Sequence, residues 1–290
     1  MIHKRLIGCI IVRDGIAVQS FNFCKYLPIG KPEIVAENLC KWGVDEIILL
    51  DIDATQYEQG PNYKLVEKVA KRIFTPLTVG GGVKSLDHFK ALLNVGADKI
   101  ALNSIAIKEP TLITRASESF GKQCIIASID TYEENGKNMV WSRFENPSNH
   151  FIPVEESAVQ MEQYGAGEIL LNCISRDGAR SGYNIPLMEI IGNSISIPII
   201  AVGGAGHPNH VLEALTNDCV SAVAVGNMFN HSEHSVSVLK AYLSSRGVPI
   251  RQGGNFDYRN SSFDEEGRLA KTHEAFLDSF GPIELEIDSL

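Results

Sequence analysis

The chain has 290 residues, a formal net charge of −9, and 44% hydrophobic against 21% charged residues, the balance of an ordinary globular protein. The negative balance argues against general nucleic-acid binding, and no apolar run approaches the roughly eighteen residues of a membrane-spanning helix. The length allows two small domains or one larger α/β barrel.

The chain opens MIHKRLIGCIIVRDG, briefly basic and then apolar. The apolar part is short and no small-residue cleavage site follows, so it reads as a first strand, and a cytoplasmic location is expected. The cysteines (Cys9, Cys24, Cys40, Cys124, Cys173, Cys219) are scattered without a C-x-x-C pair. They predict buried free thiols, not a disulfide framework or a metal site, and nothing in the sequence asks for a cofactor. Strands are predicted near 6–12, 46–51, 76–79 and 98–103, then near 124–129, 168–172, 198–202 and 221–225. Short continuous runs of Ile, Val and Leu fit strands buried on both faces of a parallel sheet. Helical patterns separate them, such as PEIVAENLCKWG, which opens near Pro32 and stops at Gly43, and SLDHFKALLNVGA. After SSRGVPI the pattern ends. GGNFDYRNSS reads as a linker. EEGRLAKTHEAFLDSF reads either as a short amphipathic helix, with Leu269, Phe276, Leu277 and Phe280 on one side, or as a weakly ordered acidic tail.

An internal repeat organises these elements. PLTVGGGVKSLDHF resembles PIIAVGGAGHPNHV, with Gly80 matching Gly203. ILLDIDA (48–54) matches ILLNCIS (169–175), and IGCII aligns with IIASID so that Ile11 falls on Asp130. A unit of roughly 120 residues, holding four βα pairs, is written twice. Two equal halves make a symmetric ring, which favours a closed (β/α)8 TIM barrel over an open doubly wound sheet. The expected fold class is therefore α/β: a TIM barrel with an internal two-fold half-barrel duplication, plus a C-terminal extension. The barrel is placed at 1–252, its halves at about 1–120 and 121–252, and the acidic extension at 253–290.

In such a barrel the chemistry lies where strands run into helices. Glycines there let backbone N–H groups approach an anion. VGGGV with Gly81 and Gly82, and its mate with Gly203 and Gly204, lie beside the loops carrying Asn103 and Ser104, and Gly226 and Asn227. The pairs read as two phosphate cradles on opposite sides of the mouth, implying a phosphorylated small molecule; the plain alternative is tight turns. Asp51, Asp53, Asp130 and Asp177 fall at strand ends, where a carboxylate can act as an acid or base; Asp177 and Gly178 belong to a polar loop, SRDGARSGYN. Ile11, opposite Asp130, cannot transfer protons. At the other end, Arg5, Glu46, Lys99 and Glu168 sit at or before strand starts, so their charges converge on the floor, either as a gate or as a cluster that closes the barrel bottom.

KRLIGC, DEIILLDI, TVGGGV, GADKIALNS, GAGEILL, SRDG, SGYN and VGGAG make residues 1–252 similar to the cyclase (HisF-type) subunit of imidazole glycerol phosphate synthase, of histidine biosynthesis. The resemblance implies a HisH-like glutaminase docked on the barrel floor, with Asp98 at that interface and Arg5, Glu46, Lys99 and Glu168 as the ammonia gate. It implies two catalytic aspartates at the mouth, at the positions of Ile11 and Asp130. The first is absent here, a loop lysine is replaced by Gln19, and Thr or Ser contacts near Asn172, Ala179 and Val202 have changed. Asp14 and Asp53 are the acids nearest in sequence to the missing one. The family has paralogues associated with surface-polysaccharide (O-antigen) synthesis, in which a glutaminase and a cyclase-like barrel support a sugar amidotransferase that forms an acetamidino group. The chain resembles such a subunit, with its cyclase step lost, its barrel supplying ammonia and its extension available to dock the third protein near the mouth. The alternative implied by the same family is an active cyclase.

Overall fold

The computed structural model describes residues 3–57, 60–142, 152–270, 279 and 281. Its strands are β1 (Arg5–Arg13), β2 (Ile16–Phe21), β3 (Lys25–Gly30), β4 (Glu46–Asp51), β5 (Leu77–Gly80), β6 (Lys99–Leu102), β7 (Ile125–Glu134), β8 (Lys137–Val140), β9 (Glu168–Cys173), β10 (Ile199–Val202) and β11 (Val220–Val225). β1, β4, β5, β6, β7, β9, β10 and β11 are parallel neighbours in that order. β11 pairs back onto β1, from Arg5 opposite Ala222 to Gly8 opposite Val225. That pairing closes the sheet, and the architecture is a (β/α)8 TIM barrel rather than an open doubly wound sheet.

Side-chain alternation along each strand divides the core. On β1, Leu6, Ile10 and Val12 face the surrounding helices, while Ile7 and Cys9 belong to an inner cluster with Ile48, Ala101, Ile126, Leu170, Ile200, Ala222 and Ala224. Ile11, Leu50 and Val202 pack on top of that cluster. The register recurs in the two halves. Ile7 lies opposite Glu46 and Ile11 opposite Leu50 across β1 and β4, as Ile126 lies opposite Glu168 and Asp130 opposite Asn172 across β7 and β9.

The helices begin where their local chemistry allows. Pro32 occupies the first turn of Pro32–Lys41, where a missing N–H costs nothing. The Ser85 hydroxyl accepts the His88 N–H at the start of Leu86–Asn94. Among the described residues no helix is long and apolar enough to cross a membrane. The thiols depart from expectation: only Cys9 and Cys173 are buried, and Cys24 is exposed.

Three strands were not expected. β2 and β3 form a hairpin after β1, and β8 pairs with an extension of β7. IAVQSF alternates too briefly, and Pro28 interrupts the next run, so neither matched the buried-strand pattern. The segment after 252 also differs from a free linker. Asn255 N–H donates to the Lys41 carbonyl, Phe256 stacks on His234, and the Tyr258 hydroxyl lies 2.7 Å from His234 Nδ1. A Cβ on Gly43, whose φ is +93°, would lie 2.3 Å from the Gly253 carbonyl oxygen. Farther on, Phe263 packs edge-on against Tyr242, and Gly267 sits against Pro208. Residues 265–270 form a turn and an isolated bridge between Phe263 and Leu269 instead of the start of a helix. The rest of the amphipathic stretch, with Phe276, Leu277 and Phe280, lies outside the described residues.

Candidate functional site

The C-terminal ends of the barrel strands surround a cavity of about 520 Å³. Asp51, Asp130, Asp177 and Gly178 line it together with all four loop pairs: Gly81 and Gly82, Asn103 and Ser104, Gly203 and Gly204, Gly226 and Asn227. Ile11 and Val202 line it too, as does Asn172. Asp53 and Asp14 do not: the Asp53 carboxylate accepts the Asp14 N–H at 2.6 Å, at the edge of the turn after β1. Neither side chain reaches the position that Ile11 leaves without a carboxylate.

Glycine is required at two of these loops for steric reasons. Gly81, at φ +113°, would place a Cβ 2.2 Å from the Asp51 carbonyl oxygen, and Gly204, at φ +107°, would place one 2.0 Å from that of Gly182. Both backbones therefore run hard against the neighbouring loop, with their amides at the cavity wall.

Asp130 projects inward from β7 and is the centre of a polar row. Asn172 Nδ2 donates to one carboxylate oxygen at 3.1 Å, and Asn103 Nδ2 donates to the other at 3.0 Å. Burial pushes its pKa up to about 6; the two amides oppose this, and the Asp177 charge adds to it. Burial also raises Asp51, whose carboxylate accepts the N–H groups of Asp53 and Ala54. The wall facing Asp130 is apolar: Ile11, Leu50 and Val202 occupy β1, β4 and β10 at that level. The mouth thus has one hydrogen-bonding side and one hydrocarbon side.

The β2–β3 hairpin roofs the cavity, with Ser20, Phe23 and Tyr26 at its lining. Its tip is a two-residue turn in which Asn22 and Phe23 both have positive φ, closed by Cys24 N–H to the Phe21 carbonyl. Two loop residues hold it down. The Ser20 hydroxyl donates to Asp177 Oδ2 at 2.6 Å, and Phe23 N–H reaches the same oxygen at 3.3 Å. Asn227 clasps the Ser20 backbone from both sides, donating to its carbonyl at 2.7 Å and accepting its N–H at 3.2 Å. Asp177 remains raised by burial, with these donors opposing the shift. Phe23 meets Trp141 edge to face, with ring centroids 5.7 Å apart. Ser20, Phe23 and Trp141 were absent from the sequence-derived site. The Asn22–Phe23 pair after an alternating run was the available signal. Gln19 turns its amide toward the Asn227 carbonyl.

At the opposite end, Arg5, Glu46, Lys99 and Glu168 form a closed ring. Arg5 binds Glu46 at 2.6 Å and Glu168 at 2.7 Å; Lys99 binds Glu168 at 2.7 Å and Glu46 at 3.0 Å. Burial opposes the charge on Arg5, but Glu168 and Glu46 outweigh it and hold the guanidinium above its ordinary pKa. Burial likewise opposes ionisation of Glu168, and Arg5 and Lys99 outweigh it. Asp98 is exposed beside the ring, with Oδ2 accepting the Leu77 N–H at 2.8 Å. The cavity reaches down to Cys9, Ala101, Leu170 and Ala224. Only the layer holding Ile7, Ile48 and Ile126 separates that depth from the ring. Thr78 belongs to the same strand level, beside Ile48 and Lys99, and its buried hydroxyl has no hydrogen-bond partner.

Comparison with known proteins fits this arrangement. Residues 5–235 match the model of the histidine biosynthesis protein family. A Vibrio vulnificus chain provisionally named imidazole glycerol phosphate synthase subunit hisF2 is 39% identical over 270 residues, 92% of this chain and 98% of its own. An imidazole glycerol phosphate synthase subunit HisF from Dehalococcoides mccartyi is 39% identical over 252 residues, 87% of this chain and 99% of its own. The HisF match is as long as the barrel, whereas the hisF2 match covers enough of this chain to reach into the extension.

Proposed function

The chain belongs to the histidine biosynthesis protein family, and on that premise we propose that it is the HisF-like, ammonia-conducting subunit of a glutamine-dependent amidotransferase that has lost the cyclase step. A HisH-like glutaminase docks on the floor beside Asp98 and releases ammonia under the ring. The ring opens, ammonia crosses the apolar interior as the neutral molecule, and it leaves at the mouth for a sugar amidotransferase that forms an acetamidino group. The carrying observation is the contrast between an intact ring of four charges at the floor and Ile11 facing Asp130 at the mouth. The short interior path supports the route: one layer of side chains lies between ring and cavity. A missing proton-transfer group typically costs about 10²–10⁴ in rate, and no other described acid stands at the Ile11 position.

A second reading, an active cyclase forming imidazole glycerol phosphate and AICAR, is favoured by Asp130. A buried carboxyl poised at about 6 in a cavity lined by glycine loops is what an acid–base group needs. Cyclase turnover with the bis-phosphate substrate and excess free ammonia separates the two readings, because free ammonia bypasses the glutaminase. Folded protein without turnover is the result expected of an ammonia-conducting subunit; turnover at ordinary enzyme rates overturns that assignment.

A further inference from the structure

The β2–β3 hairpin has two faces. Its inner side roofs the mouth through Ser20 and Phe23. Its outer side carries Leu27 (55% exposed), Ile29 (37%) and, at the start of β2, Ile16 (43%). Leu27 and Ile29 are two apart on one strand and so share a face. Among the described residues β3 pairs only with β2, so it is an edge strand. Exposed aliphatic side chains on an edge strand are an aggregation hazard unless they are covered or guarded. Pro28 is the guard: it has no N–H to offer an incoming strand, which disfavours extension of the sheet by a second chain. The face is thus blocked for strand addition and still open for side-chain packing.

The charges around it select the kind of partner. Arg13, Lys25 and Lys31 frame the stripe, on a chain whose net charge is −9. Two copies packed through this face would oppose like charges, which costs affinity. A partner with an apolar centre and an acidic rim would gain from both terms. The hairpin also stands over the exit of the cavity, where a protein receiving a small molecule must sit.

We propose that the outer face of this hairpin, centred on Leu27 and Ile29 and rimmed by Arg13, Lys25 and Lys31, is the docking surface for the acceptor protein at the mouth. The inference rests on the ammonia-conducting reading above. It places the third protein on the hairpin instead of on the extension, whose described part is engaged against Lys41, His234 and Tyr242.

The test titrates the purified acetamidino-sugar amidotransferase of the source organism against the full-length chain by calorimetry, with a HisH-type glutaminase as a separate titrant. Leu27→Glu/Ile29→Glu is expected to weaken amidotransferase binding by about 10- to 100-fold while leaving glutaminase binding unchanged. Lys31→Glu, an exposed position that keeps the fold intact, is expected to weaken it roughly 3- to 10-fold, with a smaller loss at high salt. Amidotransferase binding that survives the double variant overturns the docking surface while leaving the conducting role standing. A wild-type chain that binds neither protein overturns both. Concentration-dependent dimerisation of the wild type, abolished by Leu27→Glu/Ile29→Glu, would assign the face to a second copy instead and overturn the proposal.

Discussion

At the floor, two cations and two carboxylates satisfy one another in a ring with contacts of 2.6–3.0 Å. At the mouth, one carboxylate stands without a cation, held only by two neutral asparagine amides. Both ends bury charge, and the outcomes are opposite. Opposite charges keep Glu168 ionised despite burial, whereas neutral donors do not offset it for Asp130, which is pushed up to about 6. A group kept ionised by partners suits a gate that holds its shape. A group whose protonation is balanced near neutral pH suits chemistry, or marks chemistry that has lost its second participant.

The sharpest way to break this contrast is Ile11→Asp. It restores a carboxylate at the level of Asp130, and ammonia-dependent cyclase turnover is expected to rise by about 10²–10⁴-fold. No rise would show that the changes at Gln19, Asn172 and Val202 matter as much as Ile11. Lys99→Met attacks the other end. It leaves two partly buried carboxylates sharing Arg5, and breaking such a pair costs up to about 3 kcal/mol in chemical denaturation, less in proportion to the exposure of the ring. Glutamine-driven transfer should lose its coupling to the barrel while transfer from free ammonia persists.

Asp130→Asn tests the mouth by titration. Because the folded pKa lies above the unfolded value near 3.8, the folded state binds more protons between about pH 4 and pH 6. Stability linked to Asp130 is therefore present below about pH 4 and lost as pH rises through about 6. The asparagine variant should be more stable at pH 7 by up to about 3 kcal/mol and should flatten the stability profile across that window. An unchanged denaturation midpoint at pH 7 would contradict the burial of the carboxylate. The smallest effect is expected between the two ends. Thr78→Val removes a buried hydroxyl that has no partner and should stabilise by about 1 kcal/mol. If glutamine-driven transfer falls at the same time, the hydroxyl lies on the ammonia path.

The barrel was legible because its strands are apolar on both faces and its two halves repeat. The matching registers of β1 with β4 and β7 with β9 show that pattern in three dimensions. Mouth and floor residues could be sorted by their place along a strand, since alternation and strand direction fix which end and which side they occupy. The hairpin was not legible. Its strands are short, one carries Pro28, and its tip places Phe23 at a positive φ that glycine adopts at lower cost.

Sequence by itself determined the closed barrel, the row of inward residues and the absence of an acid at position 11. Those follow from period-two patterning and from an internal repeat, both local properties of the chain. Only the tertiary structure decided that Asp177 and Asn227 hold down the hairpin, that Asn103 and Asn172 flank Asp130, and that Asp53 turns to Asp14 instead of the cavity. Each of these joins side chains on loops or strands far apart in the chain. Their hydrogen bonds depend on how loops of different lengths meet around the ring, and no residue pattern along one segment encodes that meeting.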